Sequence, residues 1–386
     1  MNEAQQVALL KRLIQCRSVT PISEEAVDVI IEVLSEVGFE CTKLQFKDDT
    51  TGVVTTNLYA HIGSNSRNLC FAGHVDVVPV GDESTWTCDP FAGEVKDGVM
   101  YGRGAVDMKG GVCASIAAAL QFLSEHPEQS GYKLSFLLSG DEEWESRNGT
   151  IKLIDWLQKN NHSLSACIIG EPTSRHFMGD TVKNGSRGSL LFQLEVNGVQ
   201  GHVAYNKNAD NPITRLVNIL HALKQMPLDN GSEFFEPSNL EVTDIQVGNH
   251  VSNLIPGKAR ANFCIRFNDH HSAELLVKLV ENIVQQHAIN YSLTHDISGH
   301  AYIVKDKLFI DVVANAVRQV QHIEPKISAH GATSDARFIK DLCPVIELGP
   351  NLSTAHKVDE HIPLENLFAL TRIYYAVIKN FFTVSR

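Results

Sequence analysis

The sequence predicts an α/β domain, a mixed sheet covered by helices, interrupted by an inserted α+β domain of ferredoxin-like order. Three observations predict it. Short apolar runs bounded by turn residues recur along the first third of the chain, with helical stretches between them. Near Thr181 the pattern changes to strict apolar–polar alternation, the mark of strands with one polar face. After about residue 297 the first pattern returns.

Taken in order, residues 4–15 and 24–37 carry apolar positions at helical spacing, among them Val27, Ile30, Ile31 and Leu34, and Gly38 closes the second helix. Residues 69–72, 134–138, 166–169 and 345–348 are short runs, apolar on both faces, and read as buried strands. Helices over 111–123 and 150–159 lie between them. In the insert, Phe192, Leu194 and Val196 alternate with Gln193 and Glu195 in a half-buried strand. Asn211-Pro212 opens a helix with Ile213, Leu216, Val217 and Leu220 on one stripe. Strands over 240–247 and 260–267 come next, then a helix bearing Leu275, Leu276, Leu279, Val280 and Ile283, then a strand at 291–294. Strand-helix-strand-strand-helix-strand is a ferredoxin-like order. A helix over 307–320 and the strand at Val345 resume the first domain. The expected division is therefore 1–180 with 297–386, and 181–296 inserted.

Composition narrows the function classes. The 386 residues are 43% hydrophobic and 20% charged, a globular balance. Lys and Arg number 33 against 45 for Asp and Glu, a net charge of −12 that argues against a nucleic-acid partner. No run approaches the ~20 apolar residues of a membrane span. The start Met1-Asn2-Glu3-Ala4-Gln5-Gln6 lacks the layout of a secretion signal. Eight cysteines are scattered without a Cys-x-x-Cys pair, which suits reduced thiols. The expectation is a soluble, cytoplasmic protein with no membrane partner.

The chemistry lies at the strand ends. Residues 69–72 run into Gly73-His74-Val75-Asp76, 134–138 into Gly140-Asp141-Glu142-Glu143, and 166–169 into Gly170-Glu171-Pro172. The strand at Val345 leads to Gly349-Pro350 and then His356. Open α/β sheets build sites at the carboxyl ends of their strands. Each piece alone has a plain alternative. His74 could cap its own turn, Asp107 could cap the helix after Gly102-Arg103-Gly104-Ala105-Val106, the acidic triplet could face solvent, and Glu171 could sit in a surface loop. The Gly-rich turn lacks the third glycine of a dinucleotide fingerprint. Together, His74, Asp107, Glu143, Glu171 and His356 supply two imidazoles and three carboxylates. One carboxylate can bridge two divalent ions while each ion takes one His and one further carboxylate, with positions left for water. Glu142 is then the spare carboxylate beside a ligand, free to act as general base.

These segments resemble the aminoacylase/carboxypeptidase family of two-zinc amidohydrolases: Gly73-His74-Val75-Asp76-Val77-Val78-Pro79, the turn through Asp107-Met108-Lys109-Gly110-Gly111, Asp141-Glu142-Glu143 and Gly170-Glu171-Pro172-Thr173. Arg187-Gly188-Ser189, Gly201-His202-Val203-Ala204-Tyr205, Asp210-Asn211-Pro212, Ser252-Asn253-Leu254-Ile255-Pro256-Gly257, Thr333-Ser334-Asp335 and His356-Lys357-Val358 look like the branch acting on N-succinyl-LL-2,6-diaminopimelate. The resemblance implies a catalytic zinc-binding domain and an inserted lid that forms a homodimer. It implies two Zn2+ per subunit, with Co2+ possible in one site. His74 and Glu171 would hold one ion, Glu143 and His356 the other, and Asp107 would bridge. Asp76 would orient His74, Glu142 would carry the proton from water to the leaving amine, and His202 would reach across the dimer to the oxyanion. Arg187, Tyr205, Asn253, Arg266 and Thr333 would contact the substrate, a small polyanion that suits guanidinium forks. The pathway implied is lysine and peptidoglycan precursor synthesis.

The chain departs from the family pattern at Ala332 and Ala336, at Leu352 where an Asn is usual, and at Trp144-Glu145-Ser146-Arg147. None is a metal ligand; they bear on substrate contacts. The rivals are sister hydrolases of acetylornithine or dipeptides, and a metal-binding dimer without turnover. The last would require loss of Glu142 or of a ligand, and both are present.

Overall fold

The computed structural model describes residues 1–128 and 131–383, and the chain divides into two compact units. The first comprises 1–184, 304–328 and 334–386; the second comprises 185–303 and 329–333. The short segment 329–333, which contains Thr333, therefore groups with the inserted unit and not with the flanking one, and both boundaries lie a few residues later than the alternation of polarity placed them.

In the first unit an eight-stranded mixed sheet has the order Glu40–Lys47, Val54–Gly63, Lys133–Ser139, Asn68–His74, Ala166–Ile169, Val345–Glu347, Thr181–Lys183, Lys326–Ser328. The four strands ending near the acidic and imidazole segments run parallel, side by side. Their carboxyl ends therefore open on one edge. Helices Glu3–Gln15, Lys109–Glu125, Lys307–Gln321 and Leu364–Thr383 supply apolar cover, and Lys109–Glu125 is buried almost throughout its first three turns. That burial explains why its hydrophobic residues show little sidedness in sequence.

Four strands of this sheet, Glu40–Lys47, Val54–Gly63, Thr181–Lys183 and Lys326–Ser328, and the long helix Leu364–Thr383 escape the sequence reading. Glu40–Lys47 is a half-exposed edge strand, and Val54–Gly63 buries Thr55, Thr56 and Asn57, so neither shows an apolar run or a clean alternation. The helix Leu364–Thr383 does carry a helical stripe, with Leu367, Leu370, Tyr374, Val377 and Phe381 all buried. That periodic signal was available in the sequence.

The second unit pairs Gly188–Asn197, Asn239–Gln246, Lys258–Phe267 and Tyr291–Gly299 in an antiparallel sheet, with Gly188–Asn197 and Lys258–Phe267 central. Helices Pro212–Gln225 and Ala273–His287 bury their stripes on one face, where Phe192, Phe263, Leu216 and Val280 share a core. The strand and helix order is the ferredoxin-like one. All eight cysteines are free thiols. Among the described residues, no helix is long and apolar enough to cross a membrane.

Candidate active site

His74 is the last residue of its strand and is 1% exposed. Its Nε2 lies 3.3 Å from Asp107 Oδ1 and 3.5 Å from Glu171 Oε1. This buried nitrogen nevertheless forms no hydrogen bond. His356 Nε2 lies 2.8 Å from Glu143 Oε1 and 3.2 Å from Asp107 Oδ2. The two oxygens of Asp107 thus face one imidazole each. One ligand atom from each of His74, Asp107 and Glu171 falls within 4.8 Å of the others, and the same holds for Asp107, Glu143 and His356. His74, Glu142 and Glu143 form a third such group, which places Glu142 inside the cluster.

Local structure explains how five residues from distant segments converge. Parallel neighbours set the carboxyl ends of three strands together, and the loops beyond them pack main chain on main chain. A Cβ on Gly111 would stand 2.2 Å from the carbonyl oxygen of Gly170, and one on Gly349 would stand 2.3 Å from that of Glu171. Only glycine permits these approaches. His356 sits in the left-handed region with φ of +60°, a conformation that costs a non-glycine residue on the order of 1–2 kcal/mol and recurs at functional sites.

The acidic triplet is not three equivalent carboxylates. Asp141 turns back to accept the backbone N–H groups of Arg147 (3.0 Å) and Asn148 (2.8 Å), closing its own loop. Asn57 braces the same turn, accepting from Gly140 N–H and donating to the Asn148 carbonyl. Only Glu142 and Glu143 are delivered to the cluster.

Asp76 also departs from expectation. His74 Nδ1 bonds the main-chain carbonyl of Asp76 at 2.9 Å, whereas the Asp76 carboxylate is 3.7 Å away. That carboxylate accepts the N–H groups of Glu142 and Glu143 at 3.3 and 3.1 Å. Asp76 therefore orients His74 through its backbone and holds the Glu142–Glu143 turn through its side chain.

The electrostatics are those of crowded, desolvated charge. Burial pushes Glu142 well above the usual carboxylate range, and the nearby charges of Glu171, Asp335 and Glu143 add to it although His74 opposes them. Burial, with the charge of Asp107, raises Glu171 to about 7. Burial alone would raise Asp107 too, but the neighbouring His356 and His74 rings outweigh it and hold Asp107 low. His356 is raised to about 10 by Asp107 and Glu143. Burial opposes protonation of His74, yet Asp107 and Glu171 more than compensate and it too is raised. Without added cations the cluster relies on protons to limit repulsion.

Several supporting residues carry no role in the sequence reading, although Asp335 belongs to one of its motifs. Asp335, 3% exposed, accepts the Thr150 hydroxyl at 2.6 Å. Lys183 pairs with Glu347 at 2.5 Å below the sheet edge, and Glu360 bonds the turn that carries Asp107. Each has its partner far along the chain.

The remaining expected site residues lie in the second unit. His202 Nδ1 accepts the Ala204 N–H at 3.1 Å, which leaves the ring proton on Nε2. Tyr205 packs 5.5 Å from the His202 ring, and Val203 N–H bonds the Asn253 carbonyl, so these three positions form one group. Arg266 donates to Thr333 Oγ1 at 3.1 Å, and Arg187 donates to the Pro237 carbonyl and to Asn239 Oδ1.

Comparison with known proteins gives concordant results. The family model of peptidase family M20/M25/M40 matches residues 70–380. The chain is 44% identical over 380 residues to the succinyl-diaminopimelate desuccinylase of Ehrlichia canis (strain Jake), covering 98% of this chain and 99% of that one. In fold it is similar to the M20 family metallo-carboxypeptidase Sso-CP2 from Sulfolobus solfataricus, with a TM-score of 0.79 at 18% identity and full coverage of both chains. It is also similar to the YXEP protein of Bacillus subtilis, a dinuclear metal binding peptidase from the M20 family, with a TM-score of 0.69 at 14% identity over 98% of each.

Proposed function

The chain belongs to peptidase family M20/M25/M40, and we propose that it hydrolyses N-succinyl-LL-2,6-diaminopimelate to LL-2,6-diaminopimelate and succinate. It is a hydrolase of a metal-dependent family, and likeness along nearly the whole length of a relative of that name supports the substrate. The observation that carries the chemistry is the cluster itself: two imidazoles and three carboxylates converge around Asp107, with the spare carboxylate Glu142 among them.

The donor set fits a pair of divalent cations. The unbonded, buried Nε2 of His74 is a ligand atom lacking its partner. His74 and Glu171 would hold one ion, Glu143 and His356 the other, and Asp107 would face both; Zn2+ suits this nitrogen and oxygen set, with Co2+ an alternative in one site. When bound, such a pair supplies the positive charge that acidifies water and polarises a carbonyl.

The chain's own residues do the rest. Glu142 takes a proton from the attacking water as oxygen adds to the amide carbon. It returns that proton to the amine nitrogen as the C–N bond breaks, so one carboxylate serves as base and then as acid. Asp76 keeps the Glu142–Glu143 turn in place for both transfers. The Nε2–H of His202, contributed by a second copy of the chain, donates to the oxyanion. Arg187 and Arg266, with Tyr205, Asn253 and Thr333, bind the carboxylates of the substrate, where planar guanidinium groups are the fitting donors. The active species is a homodimer in the cytoplasm.

The test is amine release from N-succinyl-LL-2,6-diaminopimelate and, in parallel, from N-acetylornithine, using zinc-loaded protein and a chelated control. Metal-dependent cleavage of the succinyl compound is the expected result. Preference for the acetyl compound would move the substrate and keep the mechanism, and cleavage of neither by metal-loaded protein would overturn the proposal.

A further inference from the structure

Glu360 is a fully buried carboxylate outside the five ligands and the base. Its Oε1 accepts the backbone N–H groups of Val106 and Asp107 at 2.9 and 3.0 Å. Its Oε2 accepts Arg103 Nη1 at 2.7 Å, and its main-chain oxygen accepts Gly102 N–H at 2.8 Å. Each of these four hydrogen bonds goes to the turn 102–107. Arg103, 2% exposed, also donates to the Lys357 carbonyl at 3.2 Å, so the pair stitches that turn to the loop that starts at His356.

A buried ion pair is a poor way to stabilise a fold. Desolvating both charges costs several kcal/mol per ion, and apolar residues of similar volume often do as well or better. What an anionic acceptor supplies here is direction. Two successive N–H groups on a single oxygen fix the peptide planes on either side of Val106, and hence the bond from which the Asp107 side chain projects. Glu360 itself is four positions after His356, whose ring lies 3.2 Å from Asp107 Oδ2.

From this juxtaposition we propose that Glu360, held by Arg103, is a positioning residue for Asp107. It sets the carboxylate that faces both imidazoles and ties its register to the His356 loop. The inference rests on the reading that Asp107 is shared between two cations. Partners of this kind, one shell behind a ligand, are worth about 10–100-fold in metal affinity.

The experiment is a Co2+ titration of the full-length, metal-stripped protein, monitored by the visible absorption of the bound ion. Glu360→Gln is compared with wild type and with the double variant Arg103→Met/Glu360→Met. The double variant removes both buried charges together, so it leaves no unpaired charge; the orphaned N–H groups of Val106 and Asp107 should lower its unfolding temperature, but less than the unpaired Arg103 of Glu360→Gln does. Both proteins are expected to bind Co2+ about 10–100-fold more weakly, with an altered absorption band and a lower kcat at saturating metal but KM within about twofold. A lowered melting temperature with wild-type cobalt affinity and spectrum would overturn the inference, because it would make Glu360 purely structural. If Glu360→Gln fails to fold, the double variant decides alone. Wild-type cobalt affinity in it overturns the positioning role, and weakened affinity sustains it. The titration needs no amide substrate. Loss of cobalt affinity in a chain that cleaves no succinyl amide would sink the proposed reaction and leave this inference standing; the reverse pattern would sink only this one.

Discussion

His74 Nδ1 is held by the main-chain carbonyl of Asp76 at 2.9 Å, not by its carboxylate, which stands 3.7 Å off. The carboxylate is committed to the N–H groups of Glu142 and Glu143. Replacing Asp76 by Ala therefore spares the imidazole's orienting bond and orphans two donors beside the base. Leaving buried donors unpaired costs about 1–3 kcal/mol. The expected outcome is a fall in stability of that size and a loss in kcat larger than the loss in metal content. Thermal unfolding, elemental metal analysis and steady-state kinetics check it. Loss of metal with kcat per bound metal unchanged would show that the carboxylate serves His74 after all.

Glu142 is buried, crowded by like charges and pushed upward in proton affinity, yet it is not needed to complete either His-plus-carboxylate pair around Asp107. Glu142→Gln keeps the shape and removes the proton carrier. Turnover should fall by about 10²–10⁴-fold while two metal equivalents remain bound. Wild-type hydrolysis by the variant would rule out this residue as the base.

How much of this was readable in the sequence depends on how each residue is placed. His74, Glu143 and Glu171 come directly after buried apolar strands, so the rule that sites form at strand ends finds them without further help. Asp107 and His356 belong to loops and meet only by convergence across 249 positions of chain, seen in the 3.2 Å contact. The resemblance implies that Asp76 orients His74, and it is the Asp76 backbone carbonyl, which no side-chain pattern reports, that makes the contact. Glu360 was invisible for a similar reason. Its partners Val106 and Asp107 lie about 250 residues earlier and offer only main-chain groups. The edge strand 40–47 and its neighbour 54–63 lack a pattern because one is half exposed and the other buries Thr and Asn.

Metal uptake should release protons. In the metal-free protein His356 is raised to about 10 by Asp107 and Glu143, so that ring is protonated at neutral pH, and despite its burial His74 is biased the same way by Asp107 and Glu171. A ligand imidazole must be neutral. Apparent metal affinity is therefore expected to strengthen as pH rises from 6 to 9, and calorimetry in buffers of different ionisation enthalpy should report net proton release. Stability takes the same sign. A histidine with a raised folded-state pKa stabilises the metal-free fold fully below about 6.5 and loses that contribution as pH climbs through about 10. The gain in melting temperature on adding metal should widen over that window. A gain that narrows with rising pH would contradict the assignment of these two rings.

Gly111 brings no side chain to the cluster but packs against the strand end beside Glu171. Alanine at an ordinary helical position gains up to about 1 kcal/mol over glycine. Here the added Cβ would meet Gly170 carbonyl oxygen at 2.2 Å, its carbonyl carbon at 2.9 Å and its Cα at 3.0 Å, all backbone atoms that cannot rotate aside. Overpacking of this kind costs about 1–3 kcal/mol, so Gly111→Ala should be net destabilising. The strand end that must yield is the one that carries Glu171, and the displacement reaches that carboxylate's residue by a single peptide bond. Metal bound with His74 and Glu171 is therefore expected to weaken, while a Gly257→Ala control, whose Cβ meets only Gln200 Cβ at 3.8 Å, leaves stability and metal content at wild-type values. Equal metal affinity in the two variants would mean that the Gly111–Gly170 contact serves packing alone.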